Sequence, residues 1–119
     1  MTELLLIGDS PVLLLPDMGE PLGDPGDATA LIGEAFGCGA TWVALPSVRL
    51  REDFLELRTR TAGEFLQKFV TYGVNIAVIG DIADRVTASA SLRAFVEESN
   101  RGGSVWFLPD MAALRSRLT

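Results

Sequence analysis

The sequence predicts a single α/β domain: one mixed, largely parallel five-stranded sheet packed with four helices, in the order ββαβαβαβα. Three observations carry this. Apolar residues switch along the chain between short unbroken runs of strand length and spacings of three and four that mark one face of a helix. Glycine, proline and aspartate punctuate most of the switches. With 119 residues and 48% hydrophobic content, the chain can fill one core and has no room for a second.

The elements follow in order. Leu4 to Ile7 and Val12 to Leu15 are apolar runs separated by Gly8, Asp9 and Ser10, which predicts a hairpin. Residues 16–26 carry Pro16, Pro21, Pro25, Gly19, Gly23 and Gly26, so they read as a loop and as the region expected to be mobile. Asp27 is placed to N-cap a helix that buries Ala28, Leu31, Ile32, Ala35 and Phe36, ended by Gly37 and Gly39. Trp42 to Leu45 is a buried strand stopped by Pro46. Ala62, Phe65, Leu66, Phe69 and Val70 mark one face of a second helix that Gly73 terminates. Ile76 to Ile79 has no polar alternation, as expected of a central strand covered on both faces. A third helix carries Leu92, Phe95 and Val96, with Ser89 or Ser91 as its N-cap and Asn100 and Gly102 at its C-cap. Val105 to Leu108 is the last strand. Asp110 caps a final helix with Met111, Leu114 and Leu118. Alternation after the hairpin demands crossover connections and parallel strands.

Composition narrows the chemistry. No apolar run exceeds strand length, whereas a membrane span needs about 20 residues, and no basic segment leads a long apolar stretch. No membrane association is expected, and the expected location is cytoplasmic. The single cysteine, Cys38, permits no intramolecular disulfide and fits a reducing compartment. The absence of histidine removes the commonest general base and metal ligand, and Cys38 has no thiolate partner, so no metal site is expected. Neither G-x-G-x-x-G nor a P-loop occurs, so no nucleotide cofactor is expected. The net charge is −6, which repels phosphate backbones. Arg49, Arg51, Arg58 and Arg60 are interleaved with Glu52, Asp53 and Glu56, so nucleic acid is not an expected partner.

The strand carboxyl ends supply Pro46 and Ser47, Gly80 and Asp81, and Pro109 and Asp110, and open α/β sheets bind ligands beyond such ends. The start of the second helix, with Arg58, Thr59, Arg60, Thr61 and Gly63, faces the same edge. Its free N–H groups favour an anion or a phosphorylated hydroxyl, so Thr59 and Thr61 are candidate phosphorylation or anion-contact positions. The plainer reading is capping, since Thr61 with Glu64 fits a capping box. Asp81 is a candidate base or orienting carboxylate, or simply a turn residue after Gly80. Glu97, Glu98, Asn100 and Arg101 read as a solvated helix end. Gln67 and Lys68 read as surface residues of the second helix.

The stretch Phe54-Leu55-Glu56-Leu57-Arg58-Thr59, then Ala62-Gly63-Glu64-Phe65-Leu66-Gln67-Lys68-Phe69 with Tyr72, Ile76 to Asp81, and Ser91-Leu92-Arg93 leading to Phe95, Glu98, Asn100, Arg101 and Gly102 resemble an uncharacterised bacterial family, domain of unknown function 4180. The resemblance runs from about Asp27 to the C-terminus, departs at Leu55, Thr61 and Thr71, and implies a fold but no activity. The element order, with a Thr- and Gly-bearing segment at the second helix, is also similar to STAS domains, the anti-sigma-factor antagonists and their relatives. That resemblance implies a hydroxyl phosphorylated by a partner kinase that docks on the same segment, with Thr59 or Thr61 as the counterpart. STAS domains usually carry an Asp just before the hydroxyl, where Arg58 and Arg60 stand here.

Two functions from different classes follow. One is a non-catalytic, STAS-like regulatory or protein-interaction domain docking through the start of its second helix. The other is a small cofactor-independent enzyme, an isomerase, cyclase or lyase of a bacterial pathway, with Arg58, Thr59 and Asp81 in a rim pocket roofed by residues 16–26. Arg58 and Asp81 are then the catalytic candidates. A small-molecule-binding subunit without chemistry is a third option, and a homodimer is left open. A flat rim favours the regulator, and a concave apolar cavity of about 300 Å³ or more favours the enzyme.

Overall fold

Two apolar runs open the chain as a hairpin. A computed structural model, which describes residues 2–56 and 61–119, places β1 at Glu3–Ile7 and β2 at Ser10–Leu14, antiparallel and joined by Gly8 and Asp9. Gly8 takes φ +58°, and a side chain there would meet the Leu118 carbonyl. From β2 onward every pairing is parallel. β3 (Trp42–Pro46) lies beside β2, β4 (Asn75–Ile79) beside β3, and β5 (Val105–Leu108) beside β4. The spatial order, β1-β2-β3-β4-β5, is the chain order.

This order decides where the helices go. Parallel strands added in one direction by crossovers of one hand put every crossover helix on the same face. One core accordingly gathers Ala28, Leu31, Ile32 and Ala35 of α1 (Pro25–Cys38), Ala62, Phe65, Leu66 and Phe69 of α2 (Thr61–Tyr72) and Leu92 of α4 (Ala90–Arg101) onto Leu13, Val43, Leu45, Ile76, Val78 and Phe107. The alternate strand residues point the other way. Val12, Trp42, Ala44, Ala77, Trp106 and Leu108 form a second core, covered by α5 (Met111–Leu118) through Leu114. Trp42 and Trp106 meet there with ring centroids 4.3 Å apart, and the Arg117 guanidinium carbon sits 4.0 Å from the Trp106 centroid.

Most of the expected elements form, with two differences in the helices. There are five α-helices among the described residues rather than four. The extra one, α3 (Ala83–Ala88), is six residues long and buries none of its residues, so it leaves no apolar period to read. α1 starts at Pro25, with Asp24 rather than Asp27 at the N-cap. Pro at the first helical position already has the required φ, and the Asp27 carboxylate instead accepts the backbone N–H groups of Gly23 and Asp24. Gly39 ends the helix in the left-handed conformation. Ser89 caps α4 by accepting the Leu92 N–H at 3.1 Å, and Asp110 caps α5 by accepting the Ala113 N–H at 2.9 Å.

Asn100 serves the sheet as well as ending α4. Its Oδ1 accepts the Phe107 N–H at 2.7 Å, and its Nδ2 donates to the Phe107 carbonyl at 3.1 Å. The side-chain amide thus pairs with the outer edge of β5 as a neighbouring strand would.

Candidate functional site

The strand carboxyl rim is the first place to look. After β4, Gly80 takes φ +151°, and any Cβ there would collide with the Ser47 hydroxyl. Its N–H donates to Leu108 at 2.9 Å. Close approach of two loops, rather than a ligand, accounts for this glycine. Asp81 follows, exposed, and its carboxylate accepts the Ala83 N–H at 2.9 Å at the start of α3. Two small cavities flank it. One, of about 190 Å³, is lined by Ser47, Arg51, Leu55, Asp81 and Arg85 among others. The other, of about 210 Å³, lies between Asp81, Val86, Val96 and Pro109.

Among the described residues, Arg51 and Arg85 at this rim are engaged. Arg51 pairs with Asp24 at 2.7 Å and Asp53 at 3.5 Å. Asp24, and then Asp53, raise its guanidinium pKa above the ordinary range by stabilising the charged form. Arg85 donates to the Glu52 carbonyl at 2.8 Å.

The proline- and glycine-rich loop, expected to be mobile, is fastened beside the rim. Arg49, in the 3₁₀ turn Ser47–Arg49 after β3, donates to the carbonyls of Pro16 and Glu20 through three nitrogens, at 3.0–3.2 Å. Leu22 pairs with Leu50 as an isolated parallel bridge. A Cβ on Gly19 would strike the Arg49 guanidinium. Neither rim cavity has a residue of this loop in its lining.

The second helix offers a different surface. Ala62, Phe65, Leu66 and Phe69 face the core, and Phe65 packs edge-on against Phe54 at 5.2 Å. Thr61 is the first helical residue and is half-buried, whereas Gly63, Glu64, Gln67 and Thr71 are exposed. Arg58, Thr59 and Arg60 lie outside the described residues. Along the flank of α2 that faces α1 runs an open groove of about 630 Å³, lined by Pro25, Gly63, Glu64, Gln67, Lys68, Thr71 and Tyr72. Phe36 lies eleven residues after Pro25, three helical turns, and so shares its flank of α1. Phe36 is 58% and Tyr72 54% exposed. A smaller hollow of about 210 Å³ opens on the other flank, between Gly63, Leu66, Val70 and Phe95.

Gly63 and Asp81 therefore border different cavities. Gln67 and Lys68, which read as plain surface residues, line the groove. Pro25 and Tyr72 are not among the expected site residues, and Phe36, expected on the buried face of the first helix, lies exposed at its margin instead. The signal for Phe36 and Tyr72 was an aromatic ring at the margin of an apolar helix face. Gly63 itself has no internal reason to be glycine. It is helical, and among the described residues a Cβ there would meet no atom within 4 Å.

A family model described as "Domain of unknown function (DUF4180)" matches residues 7–118. No curated protein and no solved structure matches the chain.

Proposed function

The chain belongs to this family of domains of unknown function, and from that premise we propose that it is a non-catalytic protein-interaction domain that docks a partner segment along α2, beginning at the first turn. The observation that carries the reading is the open groove of about 630 Å³ from Gly63 to Tyr72, with the Tyr72 ring in its lining left half in water. A helix or extended segment with apolar anchors fits a groove between two parallel helices. Arg58 and Arg60 precede it in sequence and favour a partner with acidic residues at the corresponding end. Gly63 lets the partner's backbone approach the helix closely. A phosphate on Thr59 or Thr61 would add a charge of about −1.5 to −2 there and repel the same acidic end, which makes the segment suited to a switch.

The enzyme reading has less support. Ligands in open α/β sheets sit where the strand order reverses. From β2 to β5 the order never reverses, and the two rim cavities fall below the roughly 300 Å³ of small-molecule sites.

The test is a photo-cross-linking residue placed at Gln67, with Ala112 on α5 as the control, in the cells that make the protein. Gln67 should trap one defined partner, Ala112 should not, and adding Gly63→Arg should abolish the adduct. Charge reversal at Arg58 and Arg60 should slow association with the purified partner about tenfold or more at low salt. The same adducts from both positions, or none from Gln67, would sink the proposal.

A further inference from the structure

We propose that two copies of this chain pair antiparallel through β1, about a two-fold axis at Leu5, joining their sheets edge to edge. The two borders of the sheet are treated differently. The outer edge of β5 is closed by the Asn100 amide, which takes both polar groups of the Phe107 backbone. Among the described residues, nothing pairs with the outer edge of β1, which ends the sheet on the other side. An open, apolar edge strand is a template for another strand.

The register follows from the hairpin. Ile7 and Ser10 close a two-residue turn and are directly opposite, so they form a hydrogen-bonded pair, and inward bonding alternates from there to Leu5 and Glu3. The N–H and C=O groups of Leu4 and Leu6 then face outward. A two-fold axis at Leu5 sets Leu4 opposite Leu6 of the second copy, and Leu6 opposite Leu4. All of these outward groups are satisfied at once.

The side chains agree with the backbone. Leu4 lies opposite Leu13, a residue of the helix-side core, so Leu4 and Leu6 point to that face. No crossover helix reaches over β1, and Leu4 and Leu6 are 51% and 71% exposed. Pairing gathers four such leucines into one patch.

The register favours a second copy as the occupant, because about the two-fold axis each outward-bonding leucine meets a leucine of the other copy, and local charge does not oppose it. Glu3 is the only charged residue of β1, and the axis sets it opposite Ile7 of the other chain. The two Glu3 positions are four residues apart along the strand, about 14 Å at 3.4 Å per residue, beyond the screening length of about 8 Å at physiological salt. The strand segment therefore meets its own copy without like-charge contact. A strand pair is small beside the roughly 800 Å² per partner of a standard interface, so the association is concentration-dependent.

Sedimentation equilibrium of the full chain over a wide concentration range tests this. The mass should rise from 12.8 kDa toward twice that value. Leu6→Lys should hold it at the monomer while near-ultraviolet circular dichroism and melting stay unchanged. In a Cys38→Ser background, Leu5→Cys should oxidise to a covalent dimer, because the on-axis pair is non-hydrogen-bonded with Cα atoms about 4.5 Å apart. Leu4→Cys, which faces Leu6 of the other copy, should not. A 12.8 kDa mass at every concentration, a Leu6→Lys variant that still dimerises, or cross-linking at Leu4 in preference to Leu5 would overturn the proposal. Failure of Leu5→Cys to cross-link in a dimerising chain overturns the two-fold register.

Discussion

Gly63 and Gly80 are both glycines near the sheet's carboxyl edge, and physical chemistry assigns them opposite behaviour. Gly63 lies in the first turn of α2, where the helical backbone accepts any L-residue, and among the described residues the space is open. Gly63→Ala should therefore stabilise the fold by about 0.5–1 kcal/mol, raising the melting temperature, while weakening a partner that presses on the bare helix. At Gly80 a side chain meets both a positive φ and the Ser47 hydroxyl. Gly80→Ala should cost about 1–3 kcal/mol from backbone strain alone. Ser47→Gly in the same chain should recover only the steric part, as denaturant titration of the single and double variants would show. Asn100 is the third residue of this kind. Asn100→Ala should leave the Phe107 N–H and carbonyl without their partner, at about 1–3 kcal/mol, and should promote concentration-dependent association through β5. The roles of Gly80 and Asn100 were not legible beforehand, because each depends on an atom that the chain brings back from elsewhere: Ser47 beside Gly80, Phe107 beside Asn100.

At the level of elements, α2 was legible because its apolar residues repeat with helical period and its core face needs nothing else. Phe65→Ala should cost about 3–5 kcal/mol, since Phe65 is fully buried between Phe54 and Phe69. The groove beside α2 was not legible. It exists only because α1 lies next to it, and its lining is the polar half of the same helix. The loop at residues 16–26 shows a similar limit. Proline and glycine content correctly indicates irregular backbone, but order depends on distant partners, here Arg49 and the Leu22–Leu50 bridge. Arg49→Ala removes three hydrogen bonds to carbonyls, and limited proteolysis should then cleave first between residues 17 and 21. An unchanged cleavage pattern would show that the bridge alone holds the loop. α3 escaped the sequence reading because six residues with no buried side chain carry no period.

Across the whole molecule, the sequential strand order leaves one face of the sheet to α5 alone. Leu114 is its single buried residue, so Leu114→Ala should cost about 2–5 kcal/mol. It should also loosen α5 from Trp42 and Trp106, moving tryptophan fluorescence toward the red before global unfolding. The sequence by itself determined the five strands, the four longer helices and most of each helix's apolar face, because those depend on side-chain period and on turn residues a few positions apart; α3, and the exposure of Phe36 and Val70 at the margins of their helix faces, lay outside it. It determined as well the absence of histidine and of nucleotide-binding motifs, and with them much of the chemistry that is not expected here. The tertiary structure decided which strands are neighbours. That choice put α1, α2 and α4 on one face, created the groove between α1 and α2, and left the strand rim with small cavities in which Arg51 and Arg85 are already engaged. It also left β1 as the open edge and β5 as the closed one. The physical reason is that strand order is a property of pairings between segments tens of residues apart. Several orders would bury the same apolar runs equally well, and local pattern does not distinguish among them.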